Sequence, residues 1–267
     1  MTLAADLAEF TASHPVSSLR RHEGEVRYRV SGDGQPAIVL LTGALGIGHL
    51  GFQVHRALES RFRILAPDYP DTDQPARLLA DLVAMLDAEG IGRAVIHGSS
   101  FGGLIAQRLV DRVPDRIAGL ILSHTGLVAT AGSPGWLLAL VERLPKRWVV
   151  GSLTKRLRGL MRGADPAWLP LFDNGLARLG TEGLFRRLRL GAGLAKMPEP
   201  AGRWRGPALL IDSDDDPAVR PAARAALRRA FPDASQHTFH GTGHIAPVLD
   251  PIGYAEIVAA FAAGIAG

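Results

Sequence analysis

The 267-residue sequence contains no cysteine. A disulfide framework and thiolate chemistry are therefore excluded, although the absence does not fix the compartment. Lysine is almost as scarce: only Lys146, Lys155 and Lys196 occur among 30 basic residues. No uninterrupted apolar run approaches the roughly 20 residues that a membrane-spanning helix needs. The first residues, MTLAADLAEFTASHP, lack a basic start followed by an apolar stretch. No signal peptide is expected, and the expected location is cytoplasmic. No internal repeat is visible.

What is present points to one globular unit. The chain is 47% hydrophobic and 21% charged, enough for one sizeable core with an insertion. Its formal net charge of +4 is unevenly placed. Residues 126–200 hold twelve Lys and Arg against five Asp and Glu, and the remainder is net negative. Nucleic-acid binding is not expected, because the acidic remainder carries no nucleic-acid motif.

The segment EVRYRVSG alternates polar and apolar residues and ends in a turn, as a half-buried strand does. AIVLLTG, FRILAPD, RAVIHG, IAGLILSH and PALLID are short apolar runs of the kind buried on both faces of a parallel sheet. QHTFHG is a weaker run. Helical patterns fall between them at about 50–60, 75–89, 101–112, 218–230 and 251–263. Strand alternating with helix predicts a doubly wound, mostly parallel α/β sheet. The alternation stops between LILSHTG and GPALLID. That gap is too long for one crossover and reads as several helices. The predicted organisation is a core of residues 1–125 and 201–267 with a helical cap inserted at 126–200.

In such a sheet, ligands sit at the carboxyl ends of the strands. Gly98-Ser99-Ser100-Phe101-Gly102 matches G-x-S-x-G between a strand and a helix. The pattern fits a sharp turn that lifts the Ser100 hydroxyl above the sheet; a plain Gly-rich bend is the other reading. A serine nucleophile needs a base, and the base needs an orienting carboxylate. DSDDDPAVRP follows one downstream strand and TGHIAPVLDP the next, in the order Ser, acid, His. His244 is the candidate base. The aspartates read alternatively as a solvated turn and helix cap. A calcium loop does not fit, because the glycine and distal glutamate are missing.

Together these segments resemble the α/β-hydrolase superfamily over nearly the whole chain. The pattern around the apolar runs LLTGALG, LAPDYP, IHGSSFGGLIAQRL and LILSHTG is also faintly similar to the maspardin-type branch, some members of which act as binding partners. The resemblance aligns DSDDDPAV with G-x-x-D-x-x-V and so implies Asp216 as the acid. Asp215 is next in order, ahead of Asp212 and Asp214. It implies an oxyanion hole from the backbone N–H groups of Phe101 and Ala44. The loop before Ala44 carries Thr42-Gly43 where His-Gly is usual in the superfamily, which leaves the loop's supporting hydrogen bonds to be found elsewhere.

The function implied is hydrolysis of a carboxylic ester or thioester through an acyl-enzyme, with no cofactor and no metal. A carbon–carbon bond hydrolase, an acyltransferase and a catalytically weak binding protein share the same framework. His124, after the sixth strand, is a candidate substrate contact or a strand-end cap. His97 reads as a packed residue and Asp68 as a turn-fixing one. His49, His55, His237 and His240 show no metal-ligand spacing. The Arg-rich stretches KRWVVGSLTKRLRGLMR and FRRLRL read first as a solvated basic face of an amphipathic cap. They also suit an anionic or carrier-bound acyl substrate, or a membrane surface, the less favoured reading. Trp136, Trp148 and Trp168 suggest an apolar pocket beneath the cap.

Overall fold

The computed structural model describes residues 2–22, 24–131, 140–198 and 204–266. Its strands are β1 (Ser17–Arg21), β2 (Gly24–Ser31), β3 (Ala37–Leu41), β4 (Ile64–Asp68), β5 (Ala94–Ser99), β6 (Ile117–Ser123), β7 (Ala208–Ser213) and β8 (Ser235–Phe239). They form one sheet in the order β1-β2-β4-β3-β5-β6-β7-β8. The pairs β1–β2 and β2–β4 are antiparallel, and every later pair is parallel. This is the predicted doubly wound α/β sheet.

The apolar runs form its centre because both of their faces are covered. All five residues of β3 are buried. Val39 and Leu41 join a core with Leu78 and Leu82 of α3 (Pro75–Ala88) and Ile105 and Leu109 of α4 (Phe101–Arg112). Ile38 and Leu40 face the opposite core, with Leu58 of α2 (Phe52–Leu58) and Val258 of the C-terminal helix Pro251–Ala266. Each such side chain contributes about 1.5–3 kcal/mol on burial. Strand alternation therefore decides which helix packs on which face.

Two elements were not legible. Helix α1 (Leu3–Ser13) docks through Phe10, which is fully buried against Phe52, Trp168 and Ile245. Strand β1 is an edge strand of sequence SSLRR without an apolar run. The expected helix at 218–230 begins later, at Pro221, because Asp216 to Arg220 form the connection from β7.

Between β6 and β7 lie α5 (Val128–Ala131), α6 (Lys146–Leu160) and α7 (Trp168–Lys196). The last is two helices meeting at Gly180, whose φ of 65° and ψ of 179° are not helical. The two separate helical patterns of the sequence meet at that residue. The first four residues of the expected WLLALVERL helix, including Trp136, lie outside the described residues, and residues 140–143 are helical. After β7 come α8 (Pro221–Ala230), α9 (Ala246–Leu249) and α10 (Pro251–Ala266). No helix among the described residues is long and apolar enough to cross a membrane.

The approach of α4 to the sheet requires glycine. A Cβ on Gly102 would lie 2.2 Å from the Leu41 carbonyl oxygen and 2.6 Å from that of Thr42. Gly92 has open space around it. In urea unfolding, Gly102→Ala should lower stability by about 2 kcal/mol or more, as overpacking against backbone does. Gly92→Ala should stay within about 0.5 kcal/mol of the parent. Equal effects would show that the close approach is not a constraint.

Candidate active site

Ser100 stands between β5 and α4 with φ 52° and ψ −116°, a region that L-residues rarely occupy. Three contacts enforce it. The Ser100 N–H donates to the Ser123 carbonyl on β6 at 2.8 Å. A Cβ on Gly98 would meet the Gly102 carbonyl oxygen at 2.5 Å, and one on Gly103 the Thr125 side chain at 2.5 Å. The turn is thus pressed between β3, β6 and its own helix, and the hydroxyl projects upward.

His244 Nε2 lies 2.9 Å from Ser100 Oγ. On the other side of the ring, Nδ1 is 3.0 and 2.9 Å from the two carboxylate oxygens of Asp216. A carboxylate only accepts, so Nδ1 carries the proton and Nε2 is left to accept from the serine hydroxyl. The loop that carries His244 is held by Asp215, whose Oδ1 accepts from the Gly243 N–H at 2.9 Å.

The four aspartates at and just beyond the end of β7 have four different engagements. Asp212 accepts from Thr238 and Arg228. Asp214 pairs with His240, and Asp215 holds Gly243. Asp216 alone among them reaches His244, and its Oδ1 also accepts from the N–H groups of Ala218 and Val219. Burial by itself would raise the Asp216 carboxyl. The hydrogen bond and charge of His244, with the two N–H donors, outweigh burial and hold it below the usual carboxylate range.

Ala44 and Phe101 offer backbone N–H groups that make no hydrogen bond to any described residue. A Cβ on Gly43 would lie 3.8 Å from Ser100 Cβ, so the Gly43–Ala44 turn adjoins the serine. The support that the Thr42-Gly43 sequence left open comes from β4. Tyr69 Oη donates to the Thr42 carbonyl at 2.6 Å, and the Tyr69 N–H donates to the Gly46 carbonyl at 2.8 Å. The Gly48 N–H donates to Asp68 Oδ1 at 2.9 Å. Thr42 Oγ1 itself reaches only the Ile47 carbonyl, at 3.5 Å. Burial pushes the Tyr69 phenol up, so it stays a donor. Arg187 of α7 covers this region, with Cζ 5.2 Å from the Tyr69 ring centroid and 5.8 Å from that of Phe101. The sequence reads the Arg-rich stretch first as a solvated face, yet Arg187 is only 7% exposed.

His124 is the one candidate the structure moves away from the substrate side. It is 1% exposed and absent from the cavity wall. Its Nδ1 pairs with Ser123 Oγ and its Nε2 with Ser213 Oγ, each at 2.8 Å. The ring packs edge-on to His244, with centroids 5.8 Å apart. With both nitrogens occupied by hydroxyls, it supports His244 from below. His97, also buried, bonds Tyr254 Oη at 2.6 Å.

A cavity of about 220 Å³ opens over Ser100 and His244. Leu157, Leu160, Met161, Trp168 and Phe172 form its roof, and Leu45, Leu50 and Val248 are among its walls. Trp168 is therefore part of the expected apolar pocket. Trp148 is not, being 61% exposed. Among the described residues, no Lys or Arg lines the cavity. Gln53 does, and sequence reasoning missed it. Donor atoms of His14, His55 and Glu59 lie within 4.8 Å of one another, close enough to share an ion. They already engage one another and Ser31: His14 Nε2 meets Glu59 Oε2 at 2.6 Å, and Ser31 Oγ donates to Glu59 Oε2 at 2.6 Å while pairing with His55 Nε2 at 2.7 Å.

A strained serine at a strand-to-helix turn, bonded to an imidazole on a doubly wound sheet, defines an α/β-fold hydrolase. The sequence profile of the Alpha/beta hydrolase family matches residues 38–257, and the chain belongs to that family. It is 27% identical over 252 residues to the poly(3-hydroxyalkanoate) depolymerase of Ectopseudomonas oleovorans, covering 85% of this chain and 86% of that one. It is 26% identical over 243 residues to the protein provisionally named carbamate hydrolase RutD of Escherichia coli O127:H6, covering 81% and 87%. In three dimensions it is similar to a thermophilic esterase from Thermogutta terrifontis, with a TM-score of 0.72 at 19% identity over 94% of this chain and 99% of that one.

The buried imidazoles make stability depend on pH. Burial lowers His55 to about 3, and His97 and His124 to about 4. In the unfolded chain each titrates near about 6.5. The unfolded state therefore binds more protons below that pH, and stability present above it is lost as the pH falls toward 4. Urea unfolding at pH 5.5 should give a stability roughly 4 kcal/mol below that at pH 7.5, about 1.3 per imidazole. No change over that window would contradict their neutral state.

Proposed function

We propose that the protein is a serine hydrolase that cleaves a carboxylic ester or thioester through an acyl-enzyme. The observation that carries this reading is the unbroken hydrogen-bond chain from Ser100 through His244 to buried Asp216. Ser100 Oγ attacks the substrate carbonyl as His244 Nε2 takes its proton. Asp216 keeps the imidazole in the required tautomer and stabilises its cation. The negative oxygen is held by the N–H groups of Ala44 and Phe101, each donor being worth about 10²–10³ in rate. The imidazolium then protonates the leaving alcohol or thiol. Water, activated by His244, releases the acid and restores Ser100.

The helices of residues 126–200 act as a cap over a core formed by 1–125 and 201–267. The cavity beneath is smaller than the roughly 300–1,000 Å³ of sites for drug-sized ligands. That favours a short acyl group in the cavity, with a larger alcohol, thiol or carrier outside it. Among the described residues no Lys or Arg lines the cavity, which favours an uncharged acyl part. An anionic carrier would meet only the outer arginines of the cap. The depolymerase and carbamate hydrolase relatives, by their names, act at carbonyls that the same attack suits. The binding-protein alternative drew on the atypical Thr42-Gly43 loop, and the hydrogen bonds from Tyr69 and to Asp68 weaken it.

With p-nitrophenyl butyrate as substrate, Ser100→Ala should lower kcat by about 10³-fold or more. Asp216→Asn should lower it by about 10⁴-fold, because the amide favours the wrong imidazole tautomer. A fluorophosphonate probe should label the parent at Ser100 and fail to label His244→Ala. Turnover retained in Ser100→Ala would end this reading.

A further inference from the structure

We propose that Gln53 is a specificity-determining residue that hydrogen-bonds a hydroxyl group on the acyl chain of the substrate. The inference rests on the ester-hydrolase reading and narrows its substrate class. Gln53 stands in the first turn of α2 and lines the same cavity as Ser100. Its Oε1 is shielded and makes no hydrogen bond to any described residue. A Cβ on Gly51, two residues earlier, would lie 3.7 Å from the Thr42 side chain, so α2 begins beside the loop that carries Ala44.

A buried amide oxygen without a partner costs about 1–3 kcal/mol. Leucine, of similar size, would remove that cost and match the neighbouring Leu50 and Val54. The substrate is the molecule that enters this cavity to react, and rotation of the Gln53 terminal torsion brings the shielded Oε1 to face it. The side chain presents two N–H donors or one carbonyl acceptor to the cavity, depending on the rotation of its terminal torsion. A hydroxyl complements either face. A carboxylate accepts only, and with no Lys or Arg on the cavity wall its charge is desolvated without compensation. A plain alkyl chain leaves the amide as it is in the free protein. The fit is therefore to a short, uncharged hydroxyacyl ester.

The test compares p-nitrophenyl butyrate with its 2-hydroxy and 3-hydroxy counterparts. The parent should prefer one hydroxylated ester by about tenfold or more in kcat/KM, the equivalent of one hydrogen bond to an otherwise unpaired buried group. In Gln53→Leu the ratio should fall to about one, the expected result when that bond is lost. Equal kcat/KM on all three esters in the parent, or a preference that survives Gln53→Leu, overturns the proposal. Calorimetry on Ser100→Ala decides the point without turnover and without altering Gln53. The preferred hydroxylated ester should bind with a correspondingly lower Kd, and equal Kd values overturn the assignment of Gln53. Undiminished turnover in Ser100→Ala would instead overturn the hydrolase reading, while the Kd comparison still decides Gln53.

Discussion

Ser100 is held at φ 52° by the packing on either side of it rather than by its own preference. A non-glycine residue in such a region stores about 1–3 kcal/mol of strain. The glycines at 98, 102 and 103 let the chain come close enough to β3, β6 and α4 to impose it. The same approach fixes the rest of the site. Because Gly102 rests on the Leu41 and Thr42 carbonyls, the first N–H of α4 and the loop after β3 are registered to each other. The strain at Ser100 and the placement of the Gly43–Ala44 turn beside it are two consequences of one close approach.

The imidazole opposite Ser100 is fixed by similar redundancy. His244 leaves the sheet edge through Gly243, which has φ 55°, and Asp215 ties that loop down. Asp216 is left to orient the ring. Neighbouring acids thus divide two tasks, holding the loop and holding the tautomer. Beneath them, His124, Ser213 and Thr242 form a buried polar chain. Being neutral, it fills the space under His244 without adding a charge there.

The legible parts of this arrangement are those written in contiguous residues. The apolar runs became β3 to β7 because burial on both faces demands unbroken hydrophobicity. The elbow was readable because its glycines lie within two residues of Ser100. The choice among four aspartates was not a matter of local sequence. It depends on which carboxylate the turn after Ser213 aims at a residue 28 positions away, and only family resemblance pointed to Asp216. Tyr69, Gln53 and Arg187 were not legible as site residues for the same reason. Each acts through neighbours distant in sequence, and an arginine in a basic run carries no mark that it will be buried. Strand β1 is short and polar, and α1 fully buries only Phe10, with Leu3 and Leu7 partly buried beside it, so each gives only a weak signal.

The arginines of the segment between β6 and β7 separate what the charge of that segment does from what its position suggests. Arg187 is buried on aromatic rings, and burial lowers its pKa. Arg186 and Arg189 pair with Asp71 and Asp73 in the connection between β4 and α3. Pairs this exposed are worth about 0–1 kcal/mol each and weaken with salt. They set the register of α7 on the core more than its affinity. The attachment itself comes from apolar seams: Leu176 and Leu184 against Leu45 and Ile47, and Trp168 with Met161 against Phe52 and Ile245. Leu45 and Ile47 belong to the loop that follows Ala44. The helices between β6 and β7 are therefore seated on the loop that follows Ala44, and a displacement of α7 would disturb that loop.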